Sequence, residues 1–255
     1  MSKPKTILIT GGTGKLGTQF VKHFLAQGYT VVVTSRHPKH LTELSNKTVK
    51  SQNERNRLLG ITVDLERISA AQEIYEFLHK KKVYLEVLIN NARNKDYVTM
   101  SNSGPSRSHW LGEIFLDVVV PYELSMALTT KFPMLKNIIN ISSMYGVVAP
   151  NPKLYHNPTQ ESPIHYSVAK AALIHLTKEL AVRLASKGVR VNCISYGGVE
   201  GRVPDDFKKR YAQFCPSGKM LKDKEVVGAA DFLVSDASVG MTGHNLVVDG
   251  GWSVW

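Results

Sequence analysis

Apolar residues follow two alternating patterns along the chain. Short, unbroken runs rich in Val and Ile lie at 5–10, 30–34, 58–63, 85–90, 137–141, 189–194 and 245–248. Runs of this length without polar alternation predict strands covered on both faces. Between them, apolar positions return at helical spacing over 16–27, 69–80, 110–131, 165–186 and 222–235. This alternation predicts an α/β fold, with one parallel sheet of about seven strands and helices on both faces. Right-handed crossovers make such a sheet doubly wound. No internal repeat or linker divides the 255 residues, so a single domain is expected over 1–255. Three segments break the pattern. Residues 47–57 and 93–109 are polar and irregular, and 150–163 carries prolines at 150, 152, 158 and 163.

Hydrophobic residues make up 43% and charged residues 21%, an ordinary balance for a soluble protein. The N-terminal apolar run is too short for a secretory leader and no 18-residue apolar stretch follows. A cytoplasmic protein without a membrane partner is therefore expected. Cys193 and Cys215 make neither a disulfide framework nor a zinc site, so no metal is expected and both thiols should be reduced. The net charge is +11, and residues 1–60 hold ten Lys/Arg against two acids, Glu43 and Glu54. That excess suits an anionic ligand, whether a phosphorylated cofactor, an acidic substrate or nucleic acid. A nucleic-acid binder would more often show a dense basic helix or basic strands interleaved with aromatics. Neither pattern occurs, so no nucleic-acid partner is expected.

The first strand runs directly into Thr10-Gly11-Gly12-Thr13-Gly14-Lys15-Leu16-Gly17, and a helix follows. Glycines there permit a tight turn, close approach of backbone to a pyrophosphate, and close packing of helix on strand. Free N–H groups and the dipole at the helix start favour negative charge. At the first strand–helix junction of an α/β chain, this reads as a Rossmann-type dinucleotide site. Its contacts would come from Gly11, Thr13, Gly14, Lys15, Leu16 and Gly17. The second strand ends Val33-Thr34-Ser35-Arg36. An NAD site usually places Asp or Glu about 20 residues past the motif. Here Arg36 can grip a 2′-phosphate with a charge-assisted fork, Ser35 can add a hydrogen bond, and Lys15 a second charge. NADP(H) is therefore expected rather than NAD(H). Asp64-Leu65 closes the third strand, where an adenine would lie. Asn90-Asn91-Ala92 closes the fourth, at the carboxyl ends where ligands bind. Asp64 and Asn91 also fit a cap or a turn.

The fifth strand leads into Ser142-Ser143-Met144-Tyr145-Gly146, and a later helix opens Tyr166-Ser167-Val168-Ala169-Lys170. Tyr and Lys at i and i+4 share one helix face. A free phenol has a pKa of about 10, too high for acid–base work at neutral pH, and a nearby ammonium favours the phenolate. Tyr166 can then exchange a proton with a substrate oxygen while hydride moves to or from nicotinamide. A hydroxyl at the end of the fifth strand can hold the same oxygen.

Together these pieces resemble the short-chain dehydrogenase/reductase family over nearly the whole chain. Arg190-Val191-Asn192 and the ending Val248-Asp249-Gly250-Gly251 extend the match. The resemblance implies Tyr166 as catalytic acid/base, Lys170 as the group that lowers its pKa and binds the nicotinamide ribose, and Ser143 as the holder of the substrate oxygen. It further implies cofactor contacts from Asn91, Ala92, Gly197 and Val199. It also implies a homotetramer or homodimer built through two long central helices and the C-terminal strand. There are departures. Lys15 stands where the commonest subgroup has Gly, Arg93 follows Asn-Asn-Ala, and Tyr196-Gly197 replaces Pro-Gly. The family's fourth-helix Asn aligns with Val119, which puts the usual water-mediated proton relay in doubt. Ser143 and Tyr166 also lie 23 residues apart, which lengthens the 150–163 loop beside the substrate pocket.

By the same resemblance, residues 195–220 cover the substrate. Residues 150–220 hold eleven Lys/Arg and five acids. Arg93, Lys153, His156, Arg202 and residues 208–210 would meet an anionic small molecule, a phosphorylated or nucleotide-linked sugar. A solvated helix face accounts for 208–210 equally well. Residues 197–202 with Lys209-Arg210-Tyr211 and Cys215-Pro216 also look like a bacterial subgroup tied to flagellin modification, which points to flagellin-glycan precursors. Two other readings stand beside this one. One is a dehydratase or epimerase that retains and recycles its nicotinamide. The other is an NADP(H)-binding regulator on a decayed scaffold, against which the intact Ser143, Tyr166 and Lys170 argue.

Overall fold

The seven apolar runs become β1 (Thr6–Ile9), β2 (Thr30–Ser35), β3 (Leu58–Thr62), β4 (Val87–Asn90), β5 (Asn137–Ser143), β6 (Arg190–Tyr196) and β7 (Asn245–Val248). The computed structural model describes residues 5–100, 104–201 and 203–255. All neighbouring strands are parallel, in the order β3-β2-β1-β4-β5-β6-β7. The chain starts mid-sheet, builds outward through β2 and β3, then crosses back to lay β4 on the other side of β1. The order reverses between β1 and β4, and that reversal opens a crevice at the carboxyl ends of the strands. Both ends of β5 and β6 matter here, because each strand runs two residues beyond its apolar run and carries Ser142-Ser143 and Ser195-Tyr196 to the crevice.

The helices are α1 (Lys15–Ala26), α2 (Pro38–Thr48), α3 (Gln52–Arg57), α4 (Ala70–Lys80), α5 (Arg107–Ile114), α6 (Val120–Lys131), α7 (Pro158–Glu161), α8 (Ile164–Leu184), α9 (Asp205–Phe214) and α10 (Val227–Val234). Successive strand side chains point to opposite faces. Ile7, Ile9, Val31 and Val33 pack on Phe20 and Phe24 of α1 and Leu233 of α10. Leu8, Val32, Leu88 and Ile138 pack on Ile74 and Leu78 of α4, Leu128 of α6 and Leu180 of α8. Each such side chain contributes about 1.5–3 kcal/mol by leaving water. The five inner strands are almost wholly buried between these layers, and the edge strands β3 and β7 only partly so.

Three expectations are corrected. Part of 47–57, read as irregular, is helical. Ser51 Oγ accepts from Glu54 N at 3.2 Å, and Glu54 Oε2 accepts from Lys50 N at 2.6 Å, which together cap α3. The helix expected over 110–131 is not continuous, since a π-helical turn, Phe115–Val119, separates α5 from α6. Pro121 supplies the reason. It has no N–H for the carbonyl of Asp117, and the Val120 N–H bonds back to Phe115 O instead. The first part of 222–235 is a single 3₁₀ turn, Asp223–Glu225, before α10 begins.

Candidate active site

The crevice is one cleft of about 910 Å³. The glycine turn forms one wall. Gly11 has φ +60°, and a Cβ there would lie 2.7 Å from Ala92 Cα; at Gly17 a Cβ would lie 2.6 Å from both Gly11 O and Gly12 Cα. Both contacts are with backbone, which cannot swing aside. Gly14 opens α1 with no side-chain cap, so the first amides of the helix remain free for a ligand. The loop is locked to β4. Thr10 Oγ1 accepts from Asn91 N and Ala92 N at 2.9 and 3.0 Å, and Asn91 Nδ2 donates to Thr10 O and Gly11 O. A closely approached, rigid glycine backbone at a helix start fits a dinucleotide pyrophosphate.

At the adenosine end, Ser35, Arg36, Asp64 and Leu65 line the cleft. The Arg36 side chain is 44% exposed, and its one ion contact, to Glu66 Oε1, is long at 4.0 Å. Glu66 is held through its other oxygen by Tyr97 OH, at 2.5 Å. Ser35 Oγ is engaged locally, donating to His37 O and accepting from His37 N. Asp64 Oδ1 accepts from Glu66 N at 3.1 Å, so it also shapes its own turn. Lys15 differs from expectation as a second free charge. Its Nζ donates to Val199 O at 3.0 Å and lies 3.5 Å from Asp223 Oδ1, so it ties the glycine turn to the segment after β6.

At the other end, β5 and α8 bring Ser143, Tyr166 and Lys170 to the same cleft. Ser143 Oγ accepts from Tyr145 N at 3.2 Å, which fixes its rotamer. Lys170 is buried, with Nζ 5.6 Å from the Tyr166 ring centroid. It donates to Asp117 Oδ1 and to Ile141 O, both at 3.0 Å. Burial works against the Lys170 charge, but the Asp117 carboxylate and the Tyr166 oxygen outweigh it and hold the ammonium above the usual lysine value. The Arg93 guanidinium also lies over the Tyr166 ring, 4.5 Å from the centroid.

A family described as Enoyl-(Acyl carrier protein) reductase matches residues 14–253. The chain belongs to the short-chain dehydrogenase/reductase family. It is 28% identical to post-translational flagellin modification protein A of Campylobacter coli, with the whole of both chains covered. It is 29% identical to 3-oxoacyl-(acyl-carrier-protein) reductase of Chlamydia trachomatis, over 97% of this chain and 96% of that one. A short-chain dehydrogenase of Leptospira borgpetersenii, solved with bound NAD⁺, superposes with a TM-score of 0.84 at 27% identity, covering 98% and 93% of the two chains. The protein is thus a nucleotide-binding oxidoreductase of this family.

The departures from the short-chain dehydrogenase/reductase pattern now have physical accounts. Alignment by spacing put Val119 at the fourth-helix position, but Asp117 is the residue that meets Lys170. The π-helical turn explains the offset, because it rotates the side chains around it out of α-helical phase. Glu113, buried one turn earlier, was likewise missed. Tyr196, in place of Pro, is buried and its hydroxyl donates to Val226 O. Most cations expected to face the substrate do not. Lys153, His156 and residues 208–210 lie outside the cleft lining, while Arg93 is within it. Lys208 pairs with Asp205 at 2.8 Å, and Arg210 and His156 share Asp206 at 2.9 and 3.2 Å. Arg202 lies outside the described residues. The substrate end is instead walled by Tyr145, Tyr155, Phe207 and Tyr211. Tyr145 OH and Tyr155 OH are 2.8 Å apart, and Tyr211 stacks on Trp252 at 4.4 Å. No helix among the described residues is long and apolar enough to cross a membrane.

Proposed function

We propose that the protein is an NADP(H)-dependent oxidoreductase that interconverts a carbonyl and a hydroxyl on a phosphorylated or nucleotide-linked sugar. The observation that carries the redox half is the convergence of Ser143, Tyr166 and Lys170 at one end of a cleft whose other end is the glycine turn and Arg36. Bound NADP(H) supplies or accepts the hydride. Gly11 to Gly17, Ser35, Arg36, Asp64, Leu65, Asn91, Ala92, Gly197 and Val199 are the residues that would hold it. Ser143 Oγ holds the substrate oxygen. Tyr166 gives its proton to that oxygen in reduction and takes it back in oxidation. The Lys170 ammonium offsets the negative charge left on the phenol oxygen.

Arg36 supports the choice of NADP(H), since its guanidinium is half-exposed and only loosely paired. A charge-assisted hydrogen bond contributes about 1.5–3 kcal/mol, or about 10- to 100-fold in affinity. Arg36→Ala should therefore raise KM for NADPH by about that factor and leave KM for NADH nearly unchanged. An unaltered NADPH/NADH ratio would remove the assignment.

Three observations support the substrate class. Arg93 offers a cation beside Tyr166. Aromatic walls with hydroxyl tips suit a polyhydroxylated ring. One relative of full coverage bears the name flagellin modification protein. Residues 195–220, including all of α9, would cover that substrate. Apolar residues left exposed on α5 and α8 (Leu111, Ile164, Val168, Val182) support a homo-oligomer built on those helices. Two free, buried cysteines suit the cytosol. The test is turnover of NADPH with free ketoses, ketose phosphates and nucleotide-linked keto sugars. A phosphorylated or nucleotide-linked member should react at least tenfold faster than its free counterpart, and Arg93→Ala should erase the difference. Equal rates for free and phosphorylated members would sink the anionic-sugar reading.

A further inference from the structure

Glu113 and Asp117 stand four residues apart across the junction of α5 and the π-helical turn, only 2% and 3% exposed. Asp117 Oδ1 is held by Lys170. Its other oxygen, and Glu113 Oε2, have no donor, while the two carboxyl groups lie within hydrogen-bonding reach of each other. Two bare carboxylates at that range, closed off from water, repel; one proton between them turns the repulsion into a hydrogen bond. The single ammonium that touches the pair balances one negative charge, not two. His109 sits one turn before Glu113 on α5, half-buried, with Nδ1 unpartnered. The other charged groups acting on the pair are Arg93, after β4, and Lys170 of α8, whose neighbour is Tyr166, while His165 of α8 stacks on His109 at 6.4 Å. His165 Nε2–H donates to Tyr97 O at 2.6 Å, and burial holds its pKa below the ordinary histidine value, so it stays neutral.

We propose that Glu113 and Asp117 store one proton beside Lys170 and return it, through Lys170, to Tyr166 in each turnover. The inference rests on the roles given to Tyr166 and Lys170 above. In reduction, the substrate carbon gains hydride and its oxygen gains the Tyr166 proton. Lys170 passes a proton to the phenolate across one intervening hydroxyl or water and takes the proton of the carboxyl pair. The pair is doubly negative until a solvent proton enters by His109. Oxidation runs the same transfers in reverse. Burial, then the charge of Asp117, push the Glu113 carboxyl up to about 7, while Arg93 and Lys170 pull it back. Such a group can both give and take a proton near neutral pH.

Infrared spectra of the full chain, recorded across neutral pH without substrate, test this directly. The wild type should show one protonated, buried carboxyl band that titrates near pH 7. Glu113→Gln should remove it, and Tyr166→Phe should keep it. With the best substrate of the sugar panel, Glu113→Gln should lower kcat by about tenfold and flatten its pH limb near neutrality, with KM unchanged. Glu113→Asp should restore that limb. Absence of the band, its survival in Glu113→Gln, or a Glu113→Gln pH profile identical to wild type would overturn the proton store. Full turnover by Tyr166→Phe would instead overturn the site assignment, which separates the two failures.

Discussion

Tyr166→Phe should lower kcat by a factor of about 10²–10⁴, the range for losing a positioned acid/base. That corresponds to about 3–5 kcal/mol of transition-state stabilisation. The variant is clean for a structural reason. The phenyl ring keeps its place beside the Arg93 guanidinium and the Lys170 ammonium, 4.5 and 5.6 Å from its centroid. Among the described residues no hydrogen bond runs through the lost hydroxyl, so α8 and the cleft should be unchanged. NADPH binding, followed by its fluorescence, should stay within a few-fold of wild type, and KM should move little. The split between kcat and KM is the informative readout. A variant that retains kcat within a few-fold shows that another group delivers the proton. One that loses NADPH binding shows that the hydroxyl serves the cofactor more than the substrate.

Why some of this was legible in the sequence and some was not follows from the forces that fix each part. The five inner strands are almost wholly buried, so most positions take an apolar side chain and the runs stand out, while the edge strands β3 and β7 are only partly covered. The glycine turn is dictated by backbone contacts at Gly11 and Gly17 that exclude any Cβ. Tyr166 and Lys170 share one face of one helix, a relation that depends only on spacing. The features that escaped notice depend on local hydrogen bonding or on a change of helical phase. α3 is almost wholly polar, and its signal was Ser51 followed three residues later by Glu54. The pairing of Lys208 and Arg210 with Asp205 and Asp206 was also present as i,i+3 and i,i+4 charge pairs. These basic residues therefore say more about the surface of α9 than about a substrate. The π-helical turn was signalled by Pro121. Within it the carboxylate of Asp117, and not Val119, meets Lys170, a relation near a helix defect that cannot be counted along the chain.

The second large effect concerns that carboxylate. Lys170→Met keeps the length of the side chain and removes its charge, which leaves Asp117 buried without its cation and Glu113 beside it. Breaking a buried pair in this way costs about 3–5 kcal/mol, a large share of the stability of an ordinary domain. The loss should depend on pH with a definite sign. Without Lys170, the buried Glu113–Asp117 pair loses a cation that lowers its proton affinity, so the folded state binds a proton more tightly than the unfolded chain. The native state then carries the extra proton, so stability falls as pH rises and recovers as pH falls. The slope should approach 1.4 kcal/mol per pH unit, about one proton's worth, between the unfolded and the raised folded values. Wild type should show the same sign of dependence from this lysine, but only in the alkaline range. Its raised pKa stabilises the fold at all pH values below the ordinary lysine range, and that contribution is lost only as pH climbs through the folded value. Urea unfolding at several pH values measures both. Adding Asp117→Asn to Lys170→Met should recover most of the stability at neutral pH and none of the activity. If the single variant were as stable as wild type across neutral pH, Asp117 would not depend on Lys170 for its charge, and the ion pair at 3.0 Å would contribute nothing to folding.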